Sequence, residues 1–143
     1  MLISTRGRYA LRVLLDIASK EGDDFSSLKL IAQRQGISLK YLESIISQLQ
    51  AAGIVYSHRG KNGGYKLTKS TDEILLIDVL LAAEGSLRPV QCPALDNRDC
   101  GNDNCPTKDL WVQLNNTIVN FFGDKTLSDL LKSDKINLEC YAK

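Results

Sequence analysis

Apolar side chains recur at helical spacing through the first third of the chain, and glycine, aspartate and serine break the pattern at intervals. Tyr9, Val13 and Ile17, with Ala10, Leu14 and Ala18 beside them, form one stripe that predicts an amphipathic helix over residues 4–20. Gly22-Asp23-Asp24 interrupts it. Ser26 or Ser27 is placed to cap a short second helix with Leu28, Ile31 and Ala32 inside, and Gly36 stops that helix. Ser38 caps a third helix whose apolar face is Leu39, Leu42, Ile45, Ile46, Leu49 and Ala52. Its opposite face carries Lys40, Tyr41, Glu43, Ser44, Ser47 and Gln48, and Gly53 stands where a C-terminal cap belongs. Two helices joined by a short glycine-containing turn, the second polar at its N-terminal end, form a helix-turn-helix pattern.

After the third helix come two strand-like runs. Residues 54–58 and 65–68 are joined by Arg59-Gly60-Lys61-Asn62-Gly63-Gly64, which makes a glycine-rich, basic hairpin wing able to approach a backbone closely. Helical spacing returns over residues 74–84 and is lost from Gly85 to Pro106, a length of irregular chain that compact domains rarely carry without a purpose. Thr107 or Asp109 opens a long helix to about Phe122, with Leu110, Trp111, Leu114, Ile118, Phe121 and Phe122 on its apolar side. A short helix over residues 127–132 and a terminal strand complete the chain. So large an aromatic face exceeds what a lone helix on a small domain needs. A two-fold helix pair would bury it and set two reading helices about one turn of DNA apart. The expected fold is mainly α with a small β-hairpin wing: a winged helix-turn-helix plus a long C-terminal dimerisation helix. Residues 1–84 would be the DNA-binding domain, 85–106 a cysteine-containing sensor loop, and 107–143 the dimerisation helix and C-terminal segment.

The 143 residues suffice for one core plus an appendage, and 43% hydrophobic with 24% charged content is ordinary for a globular chain. No run approaches the about 18 consecutive apolar residues of a membrane span, and MLISTRGRYA lacks a signal-type apolar stretch, so a cytoplasmic protein without a membrane partner is expected. The net charge of +1 hides an asymmetry. Residues 1–70 hold eleven Lys/Arg against five Asp/Glu, while residues 71–143 hold seven against twelve. The front half is therefore the part suited to a polyanion.

In helix-turn-helix geometry the start of the third helix enters the major groove, which puts Ser38, Lys40, Tyr41 and Glu43 within reach of bases or phosphates. Phosphates repel a carboxylate unless it accepts from a cytosine amino group, so Glu43 is either a base reader or a solvated surface acid. Arg59, at the wing with Lys61, suits a narrow minor groove of strongly negative potential. Arg6 and Arg8 are candidate phosphate clamps, and Tyr9 is either a third clamp or a core residue. Enzyme chemistry finds no support: there is one histidine, no phosphate-binding loop with its lysine, and no nucleophile–base spacing.

The chain holds four cysteines, and Cys92, Cys100 and Cys105 fall within fourteen consecutive residues, with Cys140 apart. In a cytosolic chain such clustering means metal binding, redox chemistry or burial. The gaps of seven and four residues match neither common ferredoxin spacing nor the two-residue spacing of zinc ribbons.

Ser4-Thr5-Arg6-Gly7-Arg8-Tyr9-Ala10, Gly36-Ile37-Ser38-Leu39-Lys40-Tyr41-Leu42-Glu43 and Arg59-Gly60-Lys61-Asn62-Gly63-Gly64-Tyr65 resemble the IscR-like family of winged-helix regulators, to which CymR-like repressors also belong. The resemblance spans nearly the whole chain. It implies a homodimeric transcription factor acting on duplex DNA at a pseudo-palindromic operator, with Ser38, Lys40 and Glu43 at base-reading positions and Arg59 at the minor-groove position. Cluster-binding members carry three cysteines before the dimerisation helix. Here these are Cys92, Cys100 and Cys105, which implies an iron–sulfur cluster of 2Fe-2S type; the CymR-like branch generally lacks the set. One residue departs from the pattern. Where IscR-like proteins place a histidine before a Leu-Trp pair, this chain has Lys108 before Leu110-Trp111, and a protonated lysine cannot ligate iron. The fourth ligand is open among His58, Asp99, Asp103, Asp109, Cys140, a partner-subunit residue and an exogenous group. Two alternatives keep the DNA reader: a cysteine-thiol or zinc-based regulator, and a metabolic repressor whose cysteines are incidental.

Overall fold

The computed structural model describes residues 3–19, 25–60, 63–96, 98 and 105–132. Within them run α1 (Thr5–Ala18), α2 (Leu28–Gln35), α3 (Leu39–Ala51), β1 (Val55–His58), β2 (Gly64–Leu67), α4 (Leu76–Glu84), a 3-10 turn (Pro93–Asp96), α5 (Lys108–Gly123) and α6 (Leu127–Leu131). This is the expected winged helix-turn-helix, followed by a long C-terminal helix. The core lies where the apolar stripes of α1, α2, α3 and α4 meet, with Leu14, Ile31, Leu42, Ile45, Val79 and Leu127 fully buried. The terminal strand expected after residue 132 lies outside the described residues.

The turn between α2 and α3 follows its local chemistry. Gly36 ends α2 at φ 64°, a left-handed conformation that a side chain would strain. Two residues later the Ser38 hydroxyl accepts a hydrogen bond from the Tyr41 amide at 3.2 Å and starts α3. Ser27 stands at the N-cap of α2, but its side chain makes no cap bond. Two residues expected on the inner face of α3 are exposed, each because of a helix end. Leu39 is the first helical residue, with no preceding turn to cover it, and Ala52 lies past the last turn as the C-cap. On α2, Leu28 is only half-buried and Gln35 joins Ile31 and Ala32 inside.

In the wing, β1 and β2 pair antiparallel from Val55 with Leu67 to His58 with Gly64. Ser26 adds a third, one-residue strand through a reciprocal pair of backbone bonds with Tyr65, at 3.0 and 2.9 Å. A Cβ at position 64 would stand 2.5 Å from the Ser26 carbonyl oxygen, so this wing glycine serves the protein's own backbone. At the other end of the domain, the Leu76 amide donates to Lys125 and the Leu127 amide to Ile74, at 2.8 and 2.9 Å. These bonds bring α6 back to the core, and a capping box between Thr126 and Asp129 starts it.

A carboxylate closes the domain. Glu84 Oε1 accepts from the Ser4 amide, the Ser4 hydroxyl and the Gly7 amide at 2.9, 2.9 and 3.0 Å. A Cβ at position 7 would lie 2.4 Å from that oxygen. Hydrogen bonds to a charged group contribute about 1.5–3 kcal/mol each, so Gly7→Ala should cost about 2 kcal/mol in urea denaturation at fixed protein concentration. In a Glu84→Ala background the carboxylate clash is gone, leaving only the Ile3 methyl group at 3.0 Å, and alanine gains about 1 kcal/mol of helix propensity over glycine. There the Gly7→Ala substitution should be neutral or stabilising, whereas simple additivity would show that Glu84 does not set the requirement for glycine.

Candidate nucleic-acid interface and cysteine loop

The start of α3 is held against α1 by aromatic contacts. Tyr9 and Tyr41 meet edge to face with ring centroids 6.0 Å apart, and the hydroxyls of Tyr41 and Thr5 are hydrogen-bonded at 3.1 Å. The Arg12 guanidinium lies 4.9 Å over the Tyr9 ring. Tyr9 is thus partly buried against the core, and Tyr41 is half-buried rather than on the open polar face where periodicity puts it. Its hydroxyl ties α3 to α1.

Buried Asp16 fixes α2 in turn. It accepts from Arg34 and from the Gln35 amide nitrogen, both at 3.0 Å, and the Gln35 carbonyl oxygen Oε1 accepts from Arg12 at 2.9 Å. The hydrogen bond to Asp16 raises the Arg34 pKa above its ordinary value. Of the two helices of the reader, α2 is therefore positioned on α1 by the polar network around Asp16, and α3 by the contacts of Tyr41.

On this frame Ser38, Lys40 and Glu43 are exposed together on the first turns of α3. On α1, Arg8 is exposed; Arg6 is half-buried, and its Nε, with no hydrogen-bond partner among the described residues, is shielded from solvent. Arg59 is exposed immediately after β1, and Lys61 lies outside the described residues. Below the wing, Phe25 stacks on His58 at 5.0 Å, meets Tyr56 edge to face at 5.8 Å, and receives the Lys66 ammonium 4.7 Å from its ring centre. This aromatic support involves contacts between residues far apart in sequence, and periodicity does not disclose it. His58 is thereby placed on the wing, in the structure as in the sequence.

The segment from Gly85 to Pro106, expected to be irregular, contains an organised stretch. Leu95 donates to the Cys92 carbonyl at 3.1 Å and Arg98 to the Pro93 carbonyl at 3.1 Å, which closes the turn Pro93–Asp96. Both Arg88 and Arg98 donate to the Asp96 carboxylate, and these bonds, Arg88's first, hold its pKa below the usual carboxylate value. Cys92 and Cys105 are free thiols, each partly exposed. Cys105 lies just ahead of α5, where the Thr107 hydroxyl at 3.5 Å, then the amides of Thr107 and Lys108 and the Lys108 charge, lower its thiol pKa. Cys100, Asp99, Asp103 and Cys140 lie outside the described residues. Among the described residues no three His, Cys, Asp or Glu side chains converge to hold a metal ion. Lys108, the first residue of α5, and Asp109 beside it are exposed.

α5 buries none of its residues; Leu110 is 57% and Phe121 59% exposed, with Leu114 and Val119 also open. No helix among the described residues is long and apolar enough to cross a membrane.

Residues 3–133 match the Rrf2 family, described as iron-dependent transcriptional regulators. The HTH-type transcriptional regulator IscR of Vibrio atlanticus is 37% identical over 137 residues, covering 95% of this chain and 78% of that protein. Two solved structures share the fold. CymR, the global cysteine regulator of B. subtilis, has a TM-score of 0.72 at 35% identity over 91% of this chain and 95% of its own. T. potens IscR has a TM-score of 0.73 at 35% identity over 92% and 87%. Shape alone does not separate these two relatives, but both are regulators, and the exposed turns of α3 and the wing are the parts a regulator of this type presents to DNA. The chain belongs to the Rrf2 family and is a DNA-binding helix-turn-helix transcriptional regulator, not an enzyme.

Proposed function

We propose that this regulator acts as a cytoplasmic homodimer, reads duplex DNA with α3 and the wing, and holds an iron–sulfur cluster of 2Fe-2S type on Cys92, Cys100 and Cys105. The observation that carries the proposal is the position of the cysteines. They occupy the segment that leads directly into α5, a helix that leaves Leu110, Leu114, Val119 and Phe121 exposed within one chain. A second copy of α5 would cover Leu110, Leu114 and Phe121, and burying a large apolar side chain contributes about 1.5–3 kcal/mol. Thiolates are the usual ligands of such clusters, and the described donors suit the role: both are unpaired, and local hydrogen bonds favour the thiolate of Cys105. When bound, the group supplies a centre whose presence depends on iron and oxidant. The protein's part is to hold it beside the pairing helix, so that its occupancy alters the spacing of the two readers. Lys108 does not serve as a ligand. The fourth position then falls to another residue or to an exogenous group, and a weaker ligand there makes the centre labile.

One observation favours a second reading. Lys108 removes the histidine of the cluster-binding pattern, and CymR, described as a cysteine regulator, is as near in shape as IscR. Cys105, activated by Thr107, would then act as a redox thiol with Cys92 or Cys100 as its partner.

The two readings diverge under anaerobic reconstitution with iron and sulfide. The first expects a coloured protein with about two irons and two sulfides per chain, and a Cys92→Ser variant that stays colourless. A colourless wild-type protein that instead forms a reversible Cys92–Cys105 or Cys100–Cys105 disulfide would establish the second. At the DNA surface, Arg8→Ala should weaken all duplexes alike and lower the salt slope by about 1, whereas Glu43→Ala should relax preference at one base pair by about 1–3 kcal/mol. Equal losses on every duplex for Glu43→Ala would leave it no base-reading role. Leu114→Asp, within the uncovered face of α5, should shift the protein from dimer to monomer in analytical ultracentrifugation; an unchanged dimer would place the interface elsewhere.

A further inference from the structure

An aliphatic residue is exposed among the polar ones at the tip of the reading helix. Leu39 is 43% exposed at the first position of α3, next to Ser38 and Lys40 and one helical turn before Glu43. Single exposed leucines are common on protein surfaces and need no explanation by themselves. Two features set this one apart. Residues i and i+4 are neighbours on a helix, so Leu39, at the edge of the apolar stripe that continues into buried Leu42 and Ile46, borders exposed Glu43 on its other side. Helical side chains also lean toward the N-terminus, so that of Leu39 projects toward the end of α3 that a helix-turn-helix inserts first.

The major groove offers one strongly apolar feature, the C5-methyl of thymine. We propose that Leu39 is a specificity residue that reads a thymine methyl group next to the base pair read by Glu43. The inference rests on the DNA-reading function of α3 proposed above. A turn of helix advances about 5.4 Å and base pairs stack about 3.4 Å apart, so the two contacts fall on base pairs one or two steps from each other. Glu43 accepts from a cytosine amino group and Leu39 covers the thymine methyl. The pair would thus select a short pyrimidine-containing step in each half-site, with Lys40 free for phosphate or guanine.

The test uses the full chain and duplexes selected from a random pool by the wild-type protein at fixed salt. Each thymine of the selected sequence is replaced singly by deoxyuridine, which removes only the methyl group. Wild-type binding should fall about fourfold at one thymine per half-site, the factor supplied by one buried methyl group. Leu39→Ala, which lacks the branched end of the side chain, should bind the thymine and deoxyuridine duplexes equally, with an unchanged salt slope. Leu39→Met should restore the discrimination. Because the residue is exposed, both variants should melt as the wild type does. A wild-type protein indifferent to deoxyuridine at every position, or a Leu39→Ala variant as sensitive as the wild type, overturns the assignment and leaves DNA reading intact. A wild-type protein that enriches no sequence overturns both.

Discussion

The Glu84 carboxylate, on the last residue of α4, takes three hydrogen bonds from the first turn of α1, and the geometry of the DNA-facing surface follows from that contact. The first turn of α1 contains no acidic residue, yet it carries Arg6 and Arg8 at the positive end of the helix dipole. Left to itself, such a helix start would be disfavoured. Glu84 supplies the missing negative charge from another element, so the first turn tolerates both arginines without an acidic residue of its own. It also fixes where α1 begins, and thus where Thr5 and Tyr9 stand when they meet Tyr41 on α3.

The Asp16 network acts on the same frame from the other side. A buried carboxylate is costly unless paired, and removing one partner leaves a charge without solvation. Arg34 and Gln35 of α2 satisfy it, and Gln35 is held in turn by Arg12. Apolar contacts alone tolerate small rotations of one helix on another, whereas these bonds accept a narrow range of orientations. α2 is therefore fixed on α1, and Gly36 turns the chain from it into α3 without strain.

Local features were legible in the sequence because local physics decides them. Ser38, Gly36 and Gly53 mark helix ends by caps and by left-handed backbone, and the stripe from Leu42 to Leu49 faces the core as its period requires. Contacts across the fold were not legible. Nothing in the residues near Gly7 announces a carboxylate 77 positions away, and the approach of Gly64 to Ser26 depends on how a loop meets the wing. Leu39 escaped for another reason: periodicity describes an infinite helix, and at its first residue the neighbouring turn is missing. In the site, the exposure of Ser38, Lys40, Glu43 and Arg59 agreed with the pattern, while Tyr41 is drawn inward by Tyr9 and Thr5. The cysteine segment has no period to read, so the Asp96 turn inside it could emerge only from the folded chain.

α5 rests on α4 and on the Pro93–Asp96 turn with a half-buried stripe of Trp111, Ile118 and Phe122, and its other side is exposed. Its C-terminal end passes into Lys125 and Leu127, which bond to Leu76 and Ile74 at the start of α4. Its N-terminal end follows Cys105. A 16-residue helix spans about 24 Å and behaves as a stiff rod, so a change at the cysteine end is not absorbed within it. It is passed to the far end, where the tether is two backbone hydrogen bonds onto α4. The opposite end of α4 carries Glu84. On the proposed sensing function, a tilt of α5 would reach the start of α1, and through Tyr9 the start of α3, by way of these helices and bonds. Helices that bury little of their own surface open at low cost, which makes α5 the element of this fold best suited to take two positions.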